Sequence, residues 1–172
     1  MSGSSPDLAR LISIGTALVQ QDGILLDERR WDEWLELFLP DCTFWAPMWG
    51  DETGVNEQTD NALSHFFYES RKGLEDRLVR VRSGKSPAST PLPRTAHLIS
   101  SIAPLGAVTA DKITLRATWA CHVLFVRSRT QHVFFGRSEY KLEPTSAGWR
   151  IRSKKIILQN DDIPSMLDIY CL

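Results

Sequence analysis

Four histidines (His65, His97, His122, His132) and three cysteines (Cys42, Cys121, Cys171) are the side chains here best suited to hold a metal or move a proton. Only Cys121 and His122 are neighbours, and adjacent residues on an extended strand point to opposite faces, so the two cannot chelate together. The other histidines lack the close HxxxH spacing that would frame a two-histidine, one-carboxylate iron site. A zinc site or a Rieske cluster needs several thiolates and imidazoles converging on one metal, and the spacing supplies no such set. GxGxxG, GxxxxGKS/T and GxSxG are absent, so dinucleotide binding, phosphate-loop chemistry and a hydrolase elbow have no sequence support. The expectation is a chain with no catalytic residue, no metal and no cofactor of its own.

Acid–base chemistry is the remaining option. His97, His122, Asp32, Asp41 and Tyr140 are the groups that would matter if they faced a common cavity. The competing reading makes them ordinary hydrogen-bonded or surface groups, and nothing in their spacing puts them around one pocket. Six tryptophans (Trp31, Trp34, Trp45, Trp49, Trp119, Trp149) fit core and interface filling better than a ligand cage, because large aromatics dominate burial in both. The basic run Arg71 to Arg82 lacks interleaved aromatics, so it reads as a solvated helix face or subunit contact and not as a nucleic-acid patch.

At 172 residues and 42% hydrophobic content, the chain is expected to form one domain over residues 1–172. A formal charge of −1 gives no reason to expect a nucleic acid or an anionic membrane as partner. Beneath that total, residues 1–70 carry 3 Lys+Arg against 13 Asp+Glu, and residues 71–172 carry 17 against 8. Such halves attract each other either within one fold or between subunits. An odd cysteine count and no signal-like start point to a reduced, cytoplasmic protein, and the apolar runs are too short to span a bilayer.

The elements that must position these groups follow from periodicity. Ser5-Pro6-Asp7 is a helix start, with a capping hydroxyl, a first-turn proline and an acid at the positive dipole end. Leu8, Leu11, Ile12, Leu18 and Val19 make one stripe with Gly15 on it, and the helix is expected to end near Gly23 or to run kinked to Asp27. Trp31, Trp34, Leu35 and Phe38 predict a short second helix stopped by Pro40. Cys42–Trp49 reads as a strand and 51–61 as a loop, while Ser64–Tyr68 is open between strand and helix. Leu74, Leu78 and Val81 predict a helix, broken by the Gly/Pro-rich stretch 83–93. From Arg94 the period becomes two, with strands over about 97–102, 113–127, 131–142 and 149–158. Beyond residue 120 both faces of the 113–127 strand are apolar, which predicts cover on both sides. The expected fold is α+β: helices over about 5–38 and 71–84 packed on one face of a strongly curved, mostly antiparallel sheet, mainly over 94–160.

Four segments in this order, LLDERRWDEWLELFLPDCTFWAP (25–47), RLVRVRSG (77–84), PRTAHLISSI (93–102) and the closing GWRIRSKKIILQNDDIPSMLDIYCL, resemble the small (beta) subunits of aromatic-ring-hydroxylating, Rieske non-haem iron dioxygenases. The resemblance covers nearly the whole chain. It implies a cone-shaped fold like those of nuclear transport factor two and ketosteroid isomerase. It also implies a large (alpha) subunit as partner, three alpha with three beta, with the small subunits associating as a trimer. That partner would hold the Rieske 2Fe–2S cluster and the mononuclear Fe(II), with electrons from NADH through a reductase. Dioxygen would be added to an aromatic ring to give a cis-dihydrodiol. The closing NDDIPSMLDIYCL is most similar to the benzoate, toluate and anthranilate branch, which implies an aromatic carboxylate as substrate.

Trp49, Arg80, Arg82, Arg94, Asp168, Tyr170 and Leu172 are the interface candidates, chosen for aromatic, arginine or terminal character with expected exposure. The alternative from another class is a stand-alone cone-fold dehydratase or isomerase using an Asp–His or Tyr–Asp pair in the cavity, with turnover lost on changing His97 or Asp32; a third is a ligand-binding module using the same cavity without catalysis.

Overall fold

The structure, a computed structural model, describes residues 5–56, 63–85, 90–164 and 166–172. Helix α1 (Ser5–Asp27) begins where the Ser-Pro-Asp signal places it and runs through Gly23 without a break. Its buried line is Gly15, Val19, Asp22 and Leu26, a helical spacing that faces the sheet. A Cβ on Gly15 would lie 2.8 Å from Leu115 Cδ1, so the missing side chain is what lets the helix approach the sheet. The helix closes without glycine: Arg29 takes φ 57°, and the Arg29 and Arg30 amides donate back to Leu26 and Leu25.

Helix α2 (Trp31–Glu36) is shorter than its spacing predicts, because Phe38 already belongs to strand β1 (Phe38–Pro47). Pro40 therefore sits inside a strand and is not the helix stop. The pairing of β1 shifts register between Phe38 and Thr43, where a residue without an amide hydrogen is tolerated. Strand β2 (Ser64–Tyr68) resolves the open assignment as strand. Of the predicted 51–61 loop, the described part turns on Asp51, whose Oδ1 accepts the Thr53 and Gly54 amides at 2.7 and 3.1 Å; the rest lies outside the described residues.

Helix α3 (Arg71–Arg82) is followed by β3 (Arg94–Pro104), β4 (Ile113–Phe125), β5 (Thr130–Thr145) and β6 (Gly148–Leu158), and a 3-10 turn spans Ile169–Cys171. The sheet order is β2-β1-β6-β5-β4-β3, with β1–β6 parallel and every other pair antiparallel. Register shifts at Phe38/Thr43, Ser100/Ala103 and Lys141/Leu142 bend the strands, as extra residues in a ladder do. The helices cover the concave face. Ile113, Leu115, Ala117, Trp119, Cys121 and Val123 of β4 point into that core.

Among the described residues nothing covers the other face of the sheet. On β4 Ala120 and Leu124 are half-buried and His122 is exposed, so the apolar character beyond residue 120 does not reflect a second layer among the described residues. Leu98 (56% exposed), Ala120 and Phe135 (44% exposed) are directly paired across β3, β4 and β5 and form an apolar row on this open face.

Acidic and basic halves meet within the fold. Asp22 pairs with Lys154, Asp32 with Arg82, Glu36 with Arg71 and Asp41 with Arg152, each an acid from the first half and a base from the second.

Candidate functional site

The interior of the cone holds two polar centres. In the first, Asp22 of α1 accepts three hydrogen bonds: from Trp34 Nε1 (2.7 Å), Tyr140 OH (2.8 Å) and Lys154 Nζ (2.7 Å). Asp22, Tyr140 and Lys154 are each 2% exposed or less. Burial pushes the Tyr140 hydroxyl far above its ordinary range, and the neighbouring Asp22 charge adds to that, so the phenol stays a donor. Lys154 also donates to the Leu172 main-chain oxygen at 3.0 Å and lies 5.5 and 5.7 Å from the Phe44 and Tyr140 ring centres.

The second centre is an aspartate–histidine pair. Asp27, the last residue of α1, receives the His97 ring Nδ1 (2.7 Å) and the Thr95 hydroxyl (2.8 Å) on Oδ1, and the His97 amide (2.7 Å) on Oδ2. An ionised carboxylate only accepts, so the His97 proton sits on Nδ1. Burial raises the Asp27 carboxyl, but these hydrogen bonds outweigh it and hold the group below its ordinary value. The His97 side chain is 3% exposed, and Cys121 Sγ lies 3.9 Å from Nδ1. Burial pushes the Cys121 thiol up strongly and the Cys171 thiol up to about 12, so neither is a nucleophile at neutral pH.

Between these centres and the helices the cone is filled. Trp34, Phe38 and Phe44 pack edge-on or tilted at 5.0 to 6.4 Å, and Ile169, Tyr170, Cys171 and Leu172 enter the core at 3% exposure or less. Surface clefts lie elsewhere. One of about 460 Å³ on the open face is lined by Arg94, Ala96, His122, Leu124 and Gln131 among others.

Of the five acid–base candidates, His97 and Tyr140 face the interior and the other three do not. Asp32 is 83% exposed and binds Arg82, Asp41 is 75% exposed and binds Arg152, and His122 lies on the open face. The partner of His97 is Asp27, not Asp32. Asp22, Asp27 and Lys154 were missed, although two signals pointed to two of them: Asp22 interrupts the apolar stripe of α1, and Lys154 alternates in phase with Ile156 and Leu158 on β6.

The interface candidates divide in the same way. Asp168, Tyr170 and Leu172 are buried, contrary to the exposure expected of them, because Arg77 binds the Asp168 carboxylate through two nitrogens (2.9 and 2.8 Å) and Lys154 takes the Leu172 oxygen. Arg80 and Arg94 are exposed, Arg82 is exposed beside Asp32, and Trp49 is half-buried with its Nε1 donating to the Leu158 carbonyl (2.7 Å). Among the described residues no group of three or more His, Cys, Asp or Glu is arranged to hold a metal, and no helix is long and apolar enough to cross a membrane.

A curved sheet covered by helices on one face, with a filled interior and an apolar row on the other face, defines a cone-fold domain. Residues 21–165 match the family described as ring hydroxylating beta subunit. The chain belongs to that family and is a subunit of a ring-hydroxylating dioxygenase, an oxidoreductase that pairs it with an alpha subunit carrying the cofactors. It is 40% identical to the 2-halobenzoate 1,2-dioxygenase small subunit of Burkholderia cepacia, over 90% of this chain and 92% of that one. The crystal structure of the benzoate 1,2-dioxygenase beta subunit of Burkholderia mallei superposes with a TM-score of 0.74 at 32% identity, covering 91% of this chain and 94% of that one. A putative scytalone dehydratase from Novosphingobium aromaticivorans shares the fold at a TM-score of 0.68 and 13% identity, covering 90% of this chain and 89% of that one. The family match carries the dioxygenase reading over the stand-alone dehydratase or isomerase.

Proposed function

We propose that this chain is the structural beta subunit of a cytoplasmic dioxygenase acting on an aromatic carboxylate to give a cis-dihydrodiol in aromatic catabolism. The substrate class rests on the relatives, among them the small subunits of 2-halobenzoate and benzoate 1,2-dioxygenases. In this reading three copies support three alpha subunits, which hold the Rieske cluster and the mononuclear Fe(II) and receive NADH electrons through a reductase. The chain's own part is packing surface.

The observation that carries that part is the open sheet face, where Leu98, Ala120 and Phe135 lie in one apolar row that no described residue covers. Exposed apolar rows of this kind mark contact sites, and the self-association of three beta subunits would bury it. Trp49, Arg80, Arg82 and Arg94 remain the proposed contacts at the rim.

Co-expression with a ring-hydroxylating dioxygenase large subunit, followed by size-exclusion chromatography with light scattering and iron analysis, tests this reading. It expects an iron-containing complex with equal numbers of both subunits and an iron-free isolated chain. A stable chain that ignores the large subunit would overturn it.

A further inference from the structure

We propose that the space filled by Ile169–Leu172 is a binding site for a small hydrophobic carboxylate, occupied here by the chain's own residues as a displaceable internal ligand. Lys154 carries the first part of the argument. Its ammonium is 2% exposed and is shared by two oxygens, Asp22 Oδ2 at 2.7 Å and the Leu172 main-chain oxygen at 3.0 Å. Asp22 is fixed by Trp34 and Tyr140, whereas the Leu172 oxygen arrives on a short segment held by non-covalent contacts. Without that segment the ammonium would keep Asp22 but lose its second oxygen, facing a space walled by Phe44 and Tyr140 in which an unused N–H donor is costly.

The clasp at the rim supplies the second part. Arg77 Nε and Nη2 grip Asp168 Oδ1 and Oδ2 at 2.9 and 2.8 Å, and Oδ1 also accepts the Ile169 amide at 2.7 Å. Arg77 is 25% exposed while Asp168 is 3% exposed, so water reaches the clasp from the arginine side. Just before the segment, Pro164 and Met166 border an open cleft of about 500 Å³, which gives it room to swing.

Charge and shape then define the ligand. A carboxylate entering beside Lys154 supplies the oxygen acceptor that the displaced Leu172 oxygen had provided. Ile169 and Leu172, 0% and 3% exposed, put branched hydrocarbon into that space. A branched carboxylate such as 4-methylpentanoate reproduces both the oxygen and the isobutyl group of Leu172.

The test uses the full chain. Arg77→Gln leaves Asp168 without its partner, which drives the segment outward. Amide exchange at Ile169–Leu172 is expected to rise at least about tenfold, which is about 1.4 kcal/mol, and 4-methylpentanoate is expected to bind correspondingly tighter than to the wild type. In the wild type, millimolar 4-methylpentanoate speeds exchange at the same amides, whereas 4-methylpentan-1-ol, without the charge, does not. Faster exchange in R77Q without binding, or equal binding of the alcohol, overturns the proposal. If R77Q fails to fold, unchanged wild-type exchange in the presence of the carboxylate overturns it.

Discussion

Lys154 Nζ and Asp22 Oδ2 stand 2.7 Å apart with both side chains almost fully enclosed, 2% and 1% exposed, so strand β6 and helix α1 are joined by opposite charges that water does not reach. Removing one partner strands the other charge. Lys154→Met is expected to cost about 3–5 kcal/mol, the range for breaking a buried ion pair. Because Asp22→Asn removes the charge that Lys154→Met leaves alone, the double variant should lose less than the sum of the singles. Urea denaturation of the four proteins checks this; additive losses would show that the pair is not coupled.

Asp27 and His97 give a pH prediction. Burial opposes ionisation of Asp27, but hydrogen bonds from the His97 ring and amide and from Thr95 hold its carboxyl below the ordinary range. A carboxylate whose folded value lies below its unfolded value of about 3.9 contributes stability that is complete above that pH. The contribution is lost as pH falls through the folded value. Asp27→Asn is therefore expected to cost about 1.5–3 kcal/mol at pH 7, the worth of a hydrogen bond to a charged group. The gap to wild type should narrow below about pH 4. Denaturation curves at pH 7, 5 and 3.5 measure it, and a gap that stays constant to pH 3.5 would sink the assignment.

How much of this was legible in the sequence depends on the range of the forces involved. Helix α1, the short α3 and the four period-two strands are local patterns, and each is present in the fold, although Leu8, expected on the buried stripe of α1, is 45% exposed. The boundary at Phe38 was not legible, since its helical spacing from Trp34 is overridden by pairing with Ile151, over a hundred residues away. The end of α1 at Asp27 was one of the two its residues allowed; the unbroken run through Gly23 and the left-handed turn at Arg29, where no glycine stands, were not legible. The site followed the same division. His97 and Tyr140 were recognisable as residue types, but Asp27 was out of reach because its partners, Thr95 and His97, are joined to it only by the packing of α1 on β3.

Gly136 tests how tightly the central strands are built. A Cβ there would lie 2.0 Å from the Ile157 carbonyl oxygen and 3.2 Å from the Gln159 amide nitrogen, both backbone atoms that cannot rotate away. Gly136→Ala is expected to cost about 3 kcal/mol or more, at or beyond the upper end of ordinary overpacking. Gly54, with nothing within 4 Å of its own Cβ position, serves as the control, and its alanine variant should stay within about 0.5 kcal/mol of wild type. Thermal unfolding midpoints compare the two; equal midpoints would mean that β5 and β6 are spaced more loosely at this point.

The open face makes the prediction that separates folding from assembly. Leu98 and Phe135 are 56% and 44% exposed and flank Ala120 across three strands, so charges placed there meet water in the isolated chain but would be trapped at any contact covering the row. Leu98→Lys combined with Phe135→Glu is expected to leave the unfolding midpoint nearly unchanged, since exposed substitutions cost about 0.5 kcal/mol or less each. A lysine and a glutamate this close would partly neutralise each other, so Phe135→Lys in place of Phe135→Glu is the more demanding variant, with two like charges on one contact. Under the beta-subunit reading, the Leu98→Lys, Phe135→Lys protein elutes as a monomer where the wild type elutes as an oligomer, and its recovery with the large subunit drops at least about tenfold, equivalent to about 1.4 kcal/mol of lost contact. Retention of the wild-type oligomer by a well-folded double-lysine variant would place the subunit contact on another face.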